Sequence, residues 1–193
     1  MLPKIFAKHI VQGSNFIQGF IIMKIGVVGI GNVLMGDDAV GPYVIKLLEA
    51  RFNFPPEVTP IEAGTPGLDL VSVLSGFDVI IIVDNIKAEG NAGSVKRYDK
   101  KDILKTGAVP TSTSHDPGLK EALLTMRMAG NEPAEIVLIG VIPAHIDLAL
   151  SLSPPVKNAV QEMIDSVLVE LERLGFKPAE KPIPDKPDIW WEG

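Results

Sequence analysis

The sequence predicts an α/β fold, a single-domain three-layer sandwich in which a twisted, mostly parallel sheet of about five strands carries helices on both faces. Three observations predict it. Strand-like and helix-like segments alternate along nearly the whole chain, the pattern of βαβ units. The segment DVIIIVD at 78–84 is almost uniform in isoleucine and valine, the composition of a strand buried on both faces of a sheet. With 193 residues, 46% of them hydrophobic, the chain has the material for one domain with a substantial core.

Residues 24–29 (KIGVVG) read as the first strand. The run GIGNVLMGDDAVG at 29–41 then sets two adjacent carboxylates, Asp37 and Asp38, where that strand ends and a helix over 38–52 begins. Val40, Val44, Leu47 and Leu48 fall at helical spacing in it. Gly29, Gly31 and Gly36 permit a tight turn and leave backbone N–H groups exposed. A strand at 57–62 leads into EAGTPG at 62–67. There Gly64 and Gly67 suit a tight loop, Thr65 is placed to cap a helix over 66–75, and Pro66 takes its first position. The isoleucine-rich strand follows, then a strand at 94–99. A helix over 117–130 presents Leu119, Ala122, Leu123 and Met126 on one face. After a strand at 135–142, a helix over 155–174 does the same with Val156, Val160, Met163, Ile164, Val167, Leu171 and Leu174. Met126 and Met163 read as core packing. Lys157, Glu162, Glu170 and Arg173, on the other side of the last helix, read as a solvated face.

The two ends stand apart. Residues 1–22 carry Lys4 and Lys8 ahead of the apolar FIQGFII at 16–22, which is loosely similar to a targeting segment. Gln18 and Gly19 interrupt it, and no small-residue cleavage pattern follows. It is read as an N-terminal extension, with translation from Met23 as the alternative. Residues 176–193 contain Pro178, Pro182, Pro184 and Pro187 and are expected to run over the surface as an extended tail. Trp190 and Trp191 at its end are expected to pack back on the domain or to engage a partner. Residues 23–175 form the domain itself. No apolar run reaches the roughly 20 residues that cross a bilayer, and a cytoplasmic location is expected.

Composition narrows the chemistry. Eighteen basic against 24 acidic residues give a net charge of −6, which argues against a broad basic surface for nucleic acid. The absence of cysteine excludes disulfides, thiol nucleophiles and thiolate metal sites, leaving oxygen and imidazole as the good ligands.

In sheets of this kind functional groups collect outside the C-terminal ends of the strands. Asp38 follows the first strand there. Asp84 closes the isoleucine-rich strand, where a carboxylate has to be solvated, paired or bound to something. Asp37 reads as a helix cap; one cap needs only one carboxylate, so Asp38 is left over for function. Of the three histidines, His9 lies in the extension, and His145, in IPAHID at 142–147, reads as a surface or capping residue. His115, in STSHDPG at 112–118, occupies a polar loop opening onto the same sheet edge as the two acids. Two carboxylates and one imidazole suit a borderline divalent ion such as zinc, nickel or iron, with water in the open positions. The serine-hydrolase elbow G-x-S-x-G is absent, and Ser112 and Ser114 carry no further signature. A phosphate loop is disfavoured, because Leu34 stands at the third glycine position of G-x-G-x-x-G and the two acids would repel a phosphate. A divalent-metal site is the reading these residues favour, with a nucleotide-binding protein built around Gly29 and Gly31 the weaker one.

The ordered set GIGNVLMGDDAVG, EAGTPG, IIVDNI at 81–86, SHDPG at 114–118, VLIGVIP at 137–143 and LSP at 152–154 resembles the maturation endopeptidases of nickel–iron hydrogenases, over residues 23–175. The resemblance implies an α/β sandwich that removes a C-terminal peptide from the hydrogenase large-subunit precursor after nickel insertion. By motif match, the family's three metal-contacting positions fall on Asp38, Asp84 and His115, with Asp38 or Asp84 as the catalytic base. The implied metal is nickel carried by the substrate, with zinc or cadmium able to take its place in vitro. The implied partner is that precursor, with the protease acting as a monomer; the alternative is a non-catalytic module that holds the metallated precursor without cutting it. The family often has glutamate where this chain has Asp38, and many relatives have aspartate where it has Glu62.

Overall fold

A computed structural model describes residues 23–106 and 118–192. The N-terminal extension and the loop carrying His115 lie outside the described residues.

Five strands form one sheet in the order β3-β1-β4-β6-β5: β1 (Ile25–Ile30), β3 (Val58–Gly64), β4 (Val79–Asn85), β5 (Val95–Asp99) and β6 (Glu135–Val141). β3, β1, β4 and β6 are mutually parallel, and β5 closes one edge antiparallel to β6. Every residue of β4 is buried, as its isoleucine–valine run requires of a central strand.

Alternate residues of the central strands feed two separate cores. Val27, Ile81, Val83 and Ile139 face the helices α1 (Val40–Arg51) and α5 (Pro154–Arg173). Val28, Ile80, Ile82 and Leu138 face α2 (Leu70–Leu74), α3 (Lys100–Thr106) and α4 (Leu119–Met128). These are the expected three layers. The apolar stripes predicted on the two long helices are buried except at Leu174, which caps the end of α5 and is half-buried, and Met126 and Met163 are fully enclosed.

The connection through α1 carries the chain from β1 to β3 on one side, while β4 returns to the other side of β1. The C-terminal ends of β1 and β4 therefore lie side by side at the point where their onward connections diverge. A crevice opens at such a switch point.

Several local expectations need correction. Asp37 does not cap a helix. The chain enters α1 through a 3-10 turn, Gly36–Ala39, and no side chain makes a cap bond at either junction. Thr65 caps nothing either; Pro66 is the cap position before the 3-10 turn Gly67–Asp69, not the first helical residue, and it offers no side-chain acceptor, only its carbonyl, which accepts the Asp69 N–H at 2.8 Å. The solvated face assigned to the last helix fails at Glu170, which is buried between Arg97 of β5 and Arg173. The helix α3 was not expected. Its sequence KKDILKT is mostly polar and, among its described side chains, fully encloses Ile103 alone, but Asp99 accepts hydrogen bonds from the N–H groups of Lys101 and Asp102 at 2.8 and 2.9 Å and starts it.

The C-terminal tail does not simply trail over the surface. A short strand β2 (Phe52–Asn53) pairs antiparallel with β7 (Ala179–Glu180). Asp185 N–H then donates to Ala50 O, and Trp191 is buried in the α1/α5 core. Trp190 stacks edge-on against Trp191 and remains exposed.

Candidate active site

Two glycines bring the first acid to the crevice. Gly41, in the first turn of α1, lies so close to β1 and β4 that a Cβ there would meet Ile30 O at 2.2 Å and Val83 O at 2.5 Å. Gly31 has φ +140°, and a Cβ on it would fall 1.7 Å from Asp38 O. The backbone of the 36–39 turn is thereby pressed onto the strand ends, which no side-chain-bearing residue would permit.

Asp38 is consequently buried beside the end of β4. Its Oδ2 accepts the N–H of Asn32 at 2.7 Å, and its Oδ1 accepts Asn85 Nδ2 at 2.6 Å. The same Nδ2 lies 3.2 Å from Asp84 Oδ1, which also accepts the backbone N–H of Asn85 at 2.7 Å. One amide nitrogen thus joins the two acids.

Asp84 Oδ2, fully buried, finds no hydrogen-bond partner among the described residues, and neither does Asn85 Oδ1. Burial first, and then the charge of Asp38, push the Asp84 carboxyl well above the usual carboxylate range; the Asn85 N–H pulls weakly the other way. A buried carboxylate oxygen without a donor needs a proton or a cation. Two convergent carboxylates fit either demand. Among the described residues no third ligating side chain completes a metal cluster.

Asp37 points away from this pair. Its Oδ1 accepts Ser153 N–H at 2.7 Å, and its Oδ2 accepts Ser153 Oγ–H at 2.8 Å and the N–H groups of Ala144 and His145 at 2.8 and 3.2 Å. It ties both ends of the 144–153 loop to the 36–39 turn and sits at the N-terminus of α5, where the helix dipole favours an anion. His145 lies exposed, its Nδ1 2.8 Å from Asp147 Oδ1. It takes a surface role, as expected. Glu62 is occupied by an ion pair with Lys46 at 2.8 Å.

The hydrogenase maturation protease (HycI) family matches residues 42–170, two thirds of the chain. The chain belongs to this family. The Hydrogenase 2 maturation protease of Escherichia coli K12 is 31% identical over 158 residues, 80% of this chain and 94% of that one. The solved structure of the hydrogenase maturating endopeptidase HybD from Escherichia coli superposes with a TM-score of 0.76 at 28% identity, covering 82% of this chain and 98% of the other. The NiFe hydrogenase maturation protease HycI from Thermococcus kodakarensis gives 0.61 at 27% identity, covering 78% and 93%. Membership makes the protein a hydrogenase maturation peptidase with the five-stranded α/β fold. No described helix is long and apolar enough to cross a membrane.

Of the site residues predicted for this maturation protease, Asp38 and Asp84 meet at one amide nitrogen, and His115 lies outside the described residues. Sequence reasoning missed Asn85. Its signal was available in IIVDNI, where an amide directly follows the acid that ends a buried strand. It also missed the anchoring role of Asp37, which depends on a partner that no local pattern announces.

Proposed function

We propose that this chain cuts a C-terminal peptide from the large-subunit precursor of a nickel–iron hydrogenase once nickel is in place, reading that nickel through Asp38, Asp84 and His115. One observation carries the proposal: Asp38 and Asp84 converge on a single amide nitrogen at the switch point, and Asp84 keeps one buried oxygen without a donor. The solved relative from Thermococcus kodakarensis, a NiFe hydrogenase maturation protease, supports the substrate class.

The nickel belongs to the substrate. Bound in the precursor, it would meet two carboxylates and an imidazole, a donor set suited to a borderline divalent ion. Zinc or cadmium would fit the same donors in vitro. Hydrolysis requires a base for the attacking water and stabilisation of the developing oxyanion. Asp38 or Asp84 serves as the base, and Asn85 holds the two carboxyls side by side. In this reading residues 23–175 form the catalytic domain and the protein works as a cytoplasmic monomer.

The test is incubation of a nickel-loaded precursor with wild-type, Asp38→Ala and Asp84→Ala proteins, followed by intact-mass measurement. Wild type should shorten the precursor while both variants leave it whole. Undiminished cleavage by either variant would remove that acid from the mechanism.

A further inference from the structure

Asn85, the last residue of β4, carries a primary amide that is fully buried beside the two acids. Its Nδ2 has two N–H donors, and both are engaged: one on Asp38 Oδ1 at 2.6 Å, the other on Asp84 Oδ1 at 3.2 Å. The reverse orientation of the amide would set its carbonyl oxygen against two carboxyl oxygens and lose both bonds. The acids themselves fix which way it points.

These bonds sort the four oxygens of the acid pair. Asp38 Oδ2 takes the N–H of Asn32, and Asp38 Oδ1 takes the amide. Asp84 Oδ1 takes both the amide and the backbone N–H of Asn85. Only Asp84 Oδ2 is left without a donor among the described residues. The amide gains nothing comparable in return, because its own Oδ1 is buried and finds no donor among the described residues. A polar side chain kept for stability alone has its buried oxygen satisfied. The arrangement serves the acids and not the strand.

We propose that Asn85 is a positioning residue for the peptidase reaction: it holds Oδ1 of both acids and so leaves Asp84 Oδ2 as the oxygen free to meet the substrate's nickel. The proposal rests on the proteolytic reading above for the identity of that substrate. Asp38 reaches the same ion through the second lone pair of an oxygen already held by a donor. Without the amide, Asp38 keeps only the N–H of Asn32 and Asp84 only the backbone N–H of residue 85. Each carboxyl can then turn about its terminal bond, a soft torsion. Donors behind metal-facing groups orient them, and loss of one costs about 10–100-fold in affinity or rate.

The experiment compares wild type with Asn85→Ala, with Asn85→Leu, which keeps the volume but no donor, and with Asn85→Gln, which keeps both N–H donors one methylene further out. Thermal melts establish that each is folded; if the cavity left by alanine unfolds the chain, Asn85→Leu carries the test. Zn²⁺ alone is titrated into the full chain by calorimetry, and cleavage of the nickel-loaded precursor is followed by intact mass. Asn85→Ala and Asn85→Leu should each lose about tenfold or more in Zn²⁺ affinity and in kcat/KM. Asn85→Gln should recover part of both losses. Zn²⁺ affinity or kcat/KM left at the wild-type level in Asn85→Leu overturns the proposal, because the side chain then only fills space. So does a folded Asn85→Gln that performs no better than Asn85→Leu. A wild type whose Zn²⁺ binding depends on Asn85 but that never shortens the precursor strikes the proteolytic reading and leaves the positioning role standing.

Discussion

Asp37 and Ser153, 116 residues apart in the chain, are joined by two hydrogen bonds to the two oxygens of one carboxylate, at 2.7 and 2.8 Å. Through that carboxylate, the turn carrying Asp38 is locked to the 144–153 loop and to Ser153, the N-cap of the 20-residue helix α5. The neighbouring acids thus divide the labour. Asp37 builds the edge of the crevice and Asp38 faces into it.

The clamp sets the first prediction. Asp37→Ala leaves the buried N–H and O–H of Ser153 without an acceptor, and should cost about 3 kcal/mol. Asp37→Asn, which keeps one acceptor oxygen, should cost less. Urea denaturation checks both: the midpoint should fall with an unchanged slope.

Asp84 sets the second. Its folded-state pKa is raised, by burial and then by Asp38, so the folded protein holds a proton there that the unfolded chain releases near pH ~4. Stability associated with Asp84 is therefore full below that range and is lost as pH rises through the folded value. Asp84→Asn should remove this decline, matching or exceeding wild-type stability at neutral pH while abolishing cleavage. Thermal melts from pH 4 to 8 on both proteins measure it; parallel curves would contradict the assignment.

Glu170 behaves in the opposite sense. Burial alone would raise its pKa, but hydrogen bonds and charge from Arg97 and Arg173 overcome this and hold it below the usual range. The stability it contributes is present above the unfolded value near pH ~4.3 and is lost as pH falls through the lowered folded value. Because both arginines are partly exposed, Glu170→Gln should cost only about 1–2 kcal/mol at neutral pH. The gap to wild type should close in acid.

Gly31 couples fold to site. With φ +140° and the Asp38 carbonyl occupying the space of a Cβ, Gly31→Ala must displace the 36–39 turn. The cost in stability should be about 3 kcal/mol. Cleavage should fall by about 100-fold, the scale on which ångström displacements of catalytic groups act. A folded variant with full activity would show that Asp38 need not be held where it is.

Much of this was legible in the residues. The buried strand 78–84, the helical stripes ending at Met126 and Leu171, and the placement of Asp38 and Asp84 at one sheet edge all follow from periodicity and from strand ends in parallel sheets. The short β2–β7 pair and the burial of Trp191 were not legible. A two-residue strand has no period to detect, and proline-rich sequence says where a chain bends without saying what it touches. Glu170 was misread for a related reason, since its arginine on β5 lies 73 residues away.

From the order of its residues alone, this chain determined its α/β layers, the family resemblance and the two acids of the crevice, because those depend on spacing within single elements and on motifs a few residues long. Only the folded molecule decided what Asp37 does, that Asn85 unites Asp38 with Asp84, and that Arg97 meets Glu170. Each of these depends on pairs far apart in sequence, brought together by how closely α1 packs on the strands, how α5 lies against β5 and how the 144–153 loop returns to the 36–39 turn.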